Sequence, residues 1–282
     1  MRILITGARG MLGRTLVRRW SGRHELVATD REELDITDVR ACAAAIATVR
    51  PDAVVHCAAH TAVDRCETER DLAYRLNAVG SANIAIACAR AGARLVAIST
   101  DYVFSGDGTR PYDEWDATAP RTVYGASKLA GEDAVRHHCP DHAIARIAWL
   151  YGAGGPSFVH TMLKLGAQSG PELKVVNDQV GNPTSTDAVA AGLEPLLERG
   201  VVGTVHLTCE GEASWYDFTR TILARAGLTR GVVPCATSDY PRPAPRPANS
   251  RLDKMALRLH GLPPMPAWQD ALAVFLTDFP NG

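Results

Sequence analysis

The sequence has few of the features that mark specialised protein classes. Aromatic residues make up only 6% of it, and its seven cysteines are odd in number, scattered and without a C-x-x-C pair. This argues against a structural zinc site or a disulfide framework and indicates thiols in a reducing compartment; no metal site is expected. The 30 basic and 31 acidic residues give a net charge of -1, so no overall field attracts nucleic acid or an anionic membrane.

Long apolar runs are also missing. No stretch approaches the length of a membrane span, and Met1 leads directly into a strand-like run instead of a signal peptide. No basic stripe with interleaved aromatic residues indicates nucleic-acid binding, and no internal repeat is present. We therefore expect a cytoplasmic protein with neither a membrane nor a nucleic-acid partner, and 282 residues are enough for a large core.

Strand and helix patterns alternate through the first half of the chain. Short apolar runs predict strands at 2–6, 25–29, 53–56, 94–99 and 143–150, with helices between them that include an alanine-rich one at 69–91. Strands that alternate with helices form parallel sheets. The predicted fold class is therefore α/β, a Rossmann-type doubly wound parallel sheet with a smaller C-terminal substrate-binding lobe.

The pattern loosens after residue 150. Short elements alternate with loops, a Pro-rich segment occupies 242–247, and helical patterns appear near 251–259 and 266–276. We expect residues 1–150 to form an NAD(P)-binding Rossmann domain. Residues 151–282 would form mainly a substrate-binding lobe, with some segments returning to the Rossmann domain, and the lobe would cover the carboxyl edge of the sheet, where open α/β sheets bind ligands.

Three glycines follow the first predicted strand. Gly7 permits a tight turn, Gly10 lets backbone approach a pyrophosphate, and Gly13 lets the next helix pack closely. The helix N-terminus adds N–H groups and a positive dipole, so Met11 and Leu12 at its start belong to the same predicted site. A glycine-rich turn without a ligand is the alternative, but its place after the first strand favours a dinucleotide cofactor.

The choice between NADH and NADPH stays open at this stage. Asp30, at the end of the second strand, suits free ribose hydroxyls, whereas Arg9 and Arg31 suit a 2′-phosphate, and we favour NADPH slightly. Asp35 and Ile36 either precede a helix capped by Asp38 or contact the adenine. The small residues at 57–59 end another strand, where a flat ring can lie against backbone.

Tyr124 and Lys128 are four residues apart, so they share one face of a predicted helix. An ammonium group at ~4 Å with an effective dielectric of ~20 would lower a phenol pKa by about 3 units before desolvation offsets it. Ser99 and Thr100 end a predicted core strand, and the Thr100 hydroxyl can bond a carbonyl that Tyr124 protonates. Alone the Tyr-Lys spacing is common in ordinary helices; its context makes it a candidate catalytic pair.

Several stretches in this order resemble the extended short-chain dehydrogenase/reductase superfamily and, more narrowly, the dTDP-4-dehydrorhamnose reductase family. They are HTAVDRCE (60–67), STDYVFSG (99–106), VYGASKLAGE (123–132), VVNDQVGNPTST (175–186) and RPANS (246–250). The resemblance implies that hydride passes from NADPH or NADH to C4 of a dTDP-linked 4-keto-6-deoxy sugar. Tyr124 would protonate the carbonyl oxygen, Lys128 would lower its pKa and hold the nicotinamide ribose, and Thr100 would orient the carbonyl.

The resemblance also completes the set of site residues. Asn77 matches an asparagine that supports the active-site lysine, although a plain helix-surface asparagine is the alternative. The expected cofactor contacts are Gly7, Arg9, Gly10, Met11, Leu12, Gly13, Asp30, Arg31, Asp35, Ile36, Cys57, Ala58, Ala59, Ser99, Tyr124 and Lys128. The expected substrate contacts are His60, Thr100, Asp101, Trp149, Gln179, Asn182, Pro183 and Arg246.

The sequence departs from the family at a dimer contact. Some members have a glutamate there that takes part in a metal-linked dimer; Thr15 stands in its place, and Asp187 replaces a second glutamate. A magnesium-bridged dimer is therefore not expected, while a homodimer stays open. Two other functions stay open as well: reduction or epimerisation of another nucleotide sugar, and a non-catalytic regulatory subunit built on the same fold.

Overall fold

The computed structural model describes residues 1–278, and a six-stranded parallel sheet lies at its centre. Its strands in spatial order are β10 (Gly203–His206), β5 (His142–Ile147), β4 (Arg94–Thr100), β3 (Ala53–His56), β1 (Arg2–Thr6) and β2 (Glu25–Thr29). Five of the six lie within residues 1–150, and every neighbouring pair is parallel. The predicted α/β class and parallel central sheet are confirmed.

Helices cover both faces of this sheet. They are α1 (Met11–Trp20), α2 (Val39–Val49), α3 (Val63–Thr68), α4 (Arg70–Tyr74), α5 (Gly80–Ala91), α6 (Val123–His138) and α8 (Thr186–Glu198). Because side chains alternate along a strand, Ile3 and Ile5 enter one core with α1 and α8, while Leu4 enters the other with α2 and α5. Burial on both faces explains why these strands read as continuous apolar runs.

Smaller elements make up most of the second half. The strands are β6 (Leu150–Tyr151), β7 (Leu173–Val176), β8 (Val180–Gly181), β9 (Thr184–Ser185), β11 (Ala213–Ser214), β12 (Val232–Cys235) and β13 (Asn249–Ser250). The helices are α7 (Phe158–Gly166), α9 (Trp215–Arg225), α10 (Met255–Leu259) and α11 (Trp268–Asp278). β10 leaves this half to pair with β5. The division at residue 150 stays a prediction, and residues 279–282 of the predicted lobe lie outside the described residues.

Three predicted elements differ from the structure. The long helix at 69–91 contains a π-helical segment, Arg75–Val79, between α4 and α5. The strand at 143–150 ends at Ile147, since Trp149 adopts a positive φ of 47°. The helix near 251–259 begins only at Met255, because residue 252 still forms a bridge with Tyr112. None of the described helices combines the length and apolarity needed to span a bilayer.

Candidate active site

A cavity of about 1550 Å³ opens at the carboxyl ends of the central strands and is also lined by residues of the second half of the chain. This is the edge at which open α/β sheets bind ligands. All sixteen expected cofactor contacts line it. Six of the eight expected substrate contacts line it as well: His60, Thr100, Asp101, Trp149, Gln179 and Arg246.

The glycine turn between β1 and α1 has a shape that only glycines allow. Gly7 has a φ of 65°, and a Cβ there would lie 2.7 Å from the Ala58 nitrogen. A Cβ on Gly13 would overlap the Gly7 carbonyl oxygen and lie 2.6 Å from the Ala8 Cα. Gly10 caps α1 without a side-chain hydrogen bond, and the first turn contains no acidic residue. The free N–H groups and the close backbone packing fit a pyrophosphate.

We predict that Gly13→Ala damages this cradle. The new methyl group must push α1 away from the Gly7 turn, which lowers the free energy of unfolding by about 1–3 kcal/mol and weakens binding of a dinucleotide. Denaturant unfolding and fluorescence titration with a reduced nicotinamide cofactor measure the two effects. Gly155→Ala is the control, because a Cβ there meets only Met11 Cβ at 3.5 Å; equal losses in both variants would contradict the prediction.

Charged groups crowd the end of β2. The Asp30 carboxylate accepts the backbone N–H groups of Arg9 at 2.9 Å and Arg31 at 2.8 Å. The Arg9 guanidinium in turn contacts the carboxylates of both Glu32 and Glu33. Asp30 therefore holds the turn and the strand end together, and the predicted phosphate-binding Arg9 already has two acidic partners.

The Asp35 carboxylate serves a local turn. It accepts the backbone N–H and the hydroxyl of Thr37 at 2.9 and 2.8 Å, and these bonds lower its pKa. Asp38 accepts the N–H groups of Arg40 and Ala41 and caps α2, as predicted. Asp35 and Ile36 nevertheless line the cavity, and their contact with the adenine stays a prediction.

The candidate catalytic groups converge from β4 and α6. Thr122 caps α6 by accepting the Gly125 N–H at 3.0 Å, and a Cβ on Gly125 would overlap the Tyr102 carbonyl oxygen. α6 therefore packs tightly against the chain that follows Thr100. Tyr124 hydrogen-bonds with Thr100. The arrangement places a phenol and a hydroxyl together, as carbonyl binding and protonation require.

Burial decides the ionisation of the Tyr124 phenol. It raises the pKa above the ordinary tyrosine value; the Thr100 hydrogen bond opposes the shift and the nearby Asp101 carboxylate adds to it. The ammonium of Lys128 donates to the Ile98 carbonyl oxygen at 2.7 Å. That Lys128 lowers the Tyr124 pKa stays a prediction, and burial is the largest effect on this phenol. Tyr124 therefore holds its proton at neutral pH.

Lys128 itself is 6% exposed, and burial lowers its pKa to about 8, against the opposing charge of Glu132. The cation is present below that pH and is lost as the pH rises through it. Since the folded pKa lies below the unfolded one, burying the cation destabilises the fold at neutral pH, and this penalty fades above pH about 8. Lys128 is thus close to its titration point under ordinary conditions.

We predict that kcat/KM falls on the alkaline side as Lys128 loses its proton, with a midpoint near its pKa of about 8. The pH profile of kcat/KM for the cofactor measures this limb, because it reports groups of the free enzyme. Lys128→Arg retains the charge and should move the limb to higher pH. A profile that stays flat while Lys128 deprotonates would contradict the assignment.

Asp101 presents an unsatisfied acceptor in the cavity wall. Its Oδ1 accepts the Thr100 hydroxyl at 2.9 Å, whereas its buried Oδ2 has no protein partner among the described residues. Burial raises its pKa to about 6, and the neighbouring hydroxyls of Ser250 and Thr100 oppose the shift. Buried carboxylate oxygens require partners, so this atom fits a hydroxyl group of a ligand.

Two tryptophans form the opposite part of the wall. Trp149 stacks on Trp215 with ring centroids 3.5 Å apart and planes inclined by 4°. The Trp215 indole N–H donates to Gln179 Oε1 at 3.0 Å, and Gln179 donates to the Thr237 hydroxyl. Trp149 and Gln179 were predicted and Trp215 was missed. In the sequence, Ser214 indicates the start of the helix that contains Trp215, but nothing there indicates that Trp215 stacks on Trp149.

Basic residues at the cavity mouth were also missed. Lys174 and Arg242 line it near the predicted Arg246. Arg246 is not simply solvated: its guanidinium contacts the Asp64 carboxylate at 2.7 Å, which also accepts the Ala244 N–H. The high proportion of arginine and proline at 242–247 was the available signal for this cluster.

Two predicted substrate contacts do not line the cavity. Asn182 is 4% exposed, and its amide is fully engaged: it donates to the Gly211 carbonyl oxygen at 2.6 Å and accepts the Leu252 N–H at 2.8 Å. Pro183 is buried beside it. Neither residue lines the cavity in this structure, and their direct contact with substrate stays a prediction.

Asn77 lies inside the π-helical segment and is fully buried, which excludes the surface alternative. Its amide oxygen accepts the His60 N–H at 2.7 Å, and its nitrogen donates to Ser127 Oγ at 2.9 Å. The wider helical turn thus ties the end of β3 to α6, next to Lys128. Asn77 therefore supports the site through hydrogen bonds to His60 and Ser127.

The positions that differ from metal-linked members have protein partners here. The Thr15 hydroxyl donates to Thr186 Oγ1 at 2.9 Å. Asp187 contacts Arg18 and Arg19 at 2.6 and 3.1 Å. The absence of a metal-bridged dimer stays a prediction.

Comparison with known proteins covers almost the whole chain. The model of the family described as RmlD substrate binding domain matches residues 1–280. A dTDP-4-dehydrorhamnose reductase from Mycobacterium tuberculosis is 42% identical over 98% of this chain and 92% of its own length. A probable dTDP-4,6-dihydroxy-2-methyloxan-3-one 4-ketoreductase from Streptomyces antibioticus is 44% identical over 96% and 93%. The crystal structure of a Bacillus anthracis dTDP-4-dehydrorhamnose reductase in complex with NADP is 40% identical, with a TM-score of 0.96 and coverage of 98% and 99%.

Proposed function

The chain belongs to the dTDP-4-dehydrorhamnose reductase family, and on this premise we propose how its cavity performs the reaction. The protein is an oxidoreductase that uses NAD(P)H to reduce the 4-keto group of a dTDP-linked 6-deoxyhexose. The observation that carries the proposed site is the convergence of Thr100, Tyr124 and Lys128 in the same cavity as the glycine cradle.

The cofactor fits the residues that are present. Gly7, Gly10 and the uncapped start of α1 would hold the pyrophosphate, and the carboxylate of Asp30 lies where a ribose of the adenosine half is recognised. When bound, the nicotinamide supplies the hydride. Lys128 would hold the nicotinamide ribose from the floor of the cavity.

Tyr124 would supply the proton. Reduction of a ketone to an alcohol needs one hydride at carbon and one proton at oxygen, and the raised pKa of Tyr124 means that its proton is in place at neutral pH. Thr100, bonded to Tyr124, would orient the carbonyl oxygen. After the transfer the phenolate would form beside the Lys128 cation, which stabilises it more than it stabilises the neutral phenol.

The sugar nucleotide would occupy the side of the cavity formed by the second half of the chain. The unpartnered Oδ2 of Asp101 would accept a sugar hydroxyl, and the Trp149 ring would cover an apolar face of the sugar. Arg246, with Lys174 and Arg242 at the mouth, would meet the diphosphate. We propose the cytoplasm as the location on the sequence evidence alone, and a homodimer stays a proposal.

The decisive experiment compares dTDP-4-keto-6-deoxyglucose with its 3,5-epimerised product, using both cofactors and NMR to identify the product. Reduction of the epimerised sugar, with one reduced cofactor consumed per product, supports the rhamnose reaction. Inertness toward both sugars would overturn that substrate assignment. Turnover without cofactor consumption would instead indicate a redox-neutral epimerase.

A second candidate is reduction of another dTDP-linked 4-keto sugar. It is favoured by the Streptomyces antibioticus relative, a 4-ketoreductase by name, which is as similar to this chain as the rhamnose reductases are. The same assay distinguishes it, because such an enzyme would reduce the unepimerised sugar or neither sugar. The regulatory-subunit alternative is disfavoured by the presence of a phenol, a hydroxyl and a buried cation in one cavity.

A further inference from the structure

Glu32 and Glu33 follow Asp30 at the end of β2 and contact Arg9, and we propose that they make this chain prefer NADH to NADPH. The inference rests on the proposed function only in assuming that a nicotinamide dinucleotide binds at the glycine turn. Two contacts carry it. Arg9 Nη1 lies 2.6 Å from Glu32 Oε2, and Arg9 Nη2 contacts Glu33 Oε1.

Arg9 is the cation that a 2′-phosphate would use. It lies within the glycine turn, between Gly7 and Gly10, and borders the cavity beside Asp30, the position from which an acidic side chain recognises the 2′-hydroxyl. A guanidinium binds phosphate by presenting two parallel N–H groups. Both terminal nitrogens of Arg9 already face carboxylates, so a phosphate would have to displace them.

Glu33 is anchored and does not swing freely. Its second oxygen, Oε2, accepts the backbone N–H of Asp30 at 2.9 Å while Oε1 faces Arg9. The carboxylate therefore bridges the end of β2 and the glycine turn from a fixed place. A phosphate arriving beside Asp30 would meet this fixed negative charge.

The local charge balance acts in the same direction. Three carboxylates, on Asp30, Glu32 and Glu33, act on the Arg9 guanidinium, and Arg31 adds one further cation at the cavity, so the local charge is negative before a phosphate arrives. A phosphate monoester brings a further charge of about -1.5 to -2 at neutral pH. A free ribose brings none, and its hydroxyls can donate to Asp30.

Solvent limits the size of the effect. The side chains of Arg9, Glu32 and Glu33 are 51%, 77% and 44% exposed, so each pair alone is weak and is screened by salt. The preference therefore comes from the group as a whole, and it should shrink as ionic strength rises. We expect about a tenfold tighter Kd for NADH than for NADPH at low salt.

Direct titration tests the proposal without any keto-sugar. NADH and NADPH binding is followed by cofactor fluorescence, and 5′-ADP against 2′,5′-ADP in competition isolates the adenosine end. In Glu32→Gln combined with Glu33→Gln, we expect the NADPH Kd to fall about fivefold or more, with the NADH Kd changed less than about twofold. Glutamine keeps an acceptor oxygen for the Asp30 N–H, and Glu172→Gln combined with Glu198→Gln, both at exposed positions, is the control of equal charge change.

Two results would overturn the proposal: equal or tighter binding of NADPH by the native protein, or an equal change for both cofactors in the double variant. Should the double variant unfold, Glu32→Gln alone tests the same point, since this side chain is 77% exposed. Failure of the keto-sugar assay with a retained NADH preference would reject the substrate and not this inference. Loss of all dinucleotide binding would reject the proposed cofactor site itself.

Discussion

Replacing Tyr124 with phenylalanine is expected to lower turnover about 10²- to 10⁴-fold, the usual contribution of a positioned general acid. The ring remains, so its edge-to-face contact with Tyr102, with centroids 5.5 Å apart, is retained. Only the proton donor and its hydrogen bond with Thr100 are removed. Steady-state kinetics with the keto-sugar measure the loss, and fluorescence titration should show unchanged cofactor binding.

Tyr102→Phe is the matched control for this experiment. It removes a phenolic hydroxyl from the same cavity and leaves the Tyr124 hydroxyl in place, so we expect most of the turnover to remain. Near-normal turnover in Tyr124→Phe would remove Tyr124 from the mechanism. Equal losses in the two variants would mean that the cavity is sensitive to any lost hydroxyl and not to this proton donor.

The second large effect concerns an ion pair beneath the site. Glu132 and Arg146 are 3% and 2% exposed, and their side chains meet through two hydrogen bonds of 2.9 and 2.8 Å. Glu132 also accepts the Ser99 hydroxyl at 2.5 Å and a guanidinium N–H of Arg136 at 2.6 Å. Burial alone would raise the Glu132 pKa, but these partners outweigh it and lower the pKa.

Glu132→Gln is therefore expected to lower the free energy of unfolding by about 3–5 kcal/mol, because it leaves the buried Arg146 charge uncompensated. Urea unfolding measures this, and Asp133→Asn on the same helix is the control. Asp133 is 67% exposed in its pair with Arg136, so its loss should change stability by no more than about 1 kcal/mol. Similar small changes in both variants would show that solvent screens the Glu132 charge.

The native pair should also respond to acid in a defined direction. The folded pKa of Glu132 lies below its unfolded value. Its contribution to the free energy of unfolding is therefore complete above the unfolded pKa and is lost as the pH falls through the folded pKa. In Glu132→Gln this acid-dependent part of the stability should disappear. If this acid-dependent part persists in Glu132→Gln, it arises from other carboxylates.

The parts of the site that the sequence predicted depend on local rules. The order of strands and helices follows from apolar periodicity, and the glycine turn from the backbone space that Gly7 and Gly13 require. Tyr124 and Lys128 share a helix face by spacing alone. Each of these features is encoded within a few neighbouring residues, and each lies in the structure where the sequence placed it.

The features that were missed depend on contacts between distant segments. Trp215 belongs to the site because it stacks on Trp149. Asn182 does not line the cavity, because its amide is hydrogen-bonded to Gly211 and Leu252. The direction of the Tyr124 pKa shift likewise depends on contacts between distant segments. Spacing gave the neighbouring cation, but the degree of burial, which decides the direction of the shift, depends on the whole fold.

Strand β10 has a consequence for how the chain assembles. Until residues 203–206 pair with β5, the backbone groups of β5 that face away from β4 have no ladder partner, and an open strand edge can recruit other chains. The sheet that carries the glycine turn is therefore completed only after residue 206 has been synthesised. A ribosome-bound or truncated chain ending near residue 150 should consequently need protection from aggregation, which crosslinking to chaperones during translation would reveal and a monomeric, freely soluble 1–150 fragment would contradict.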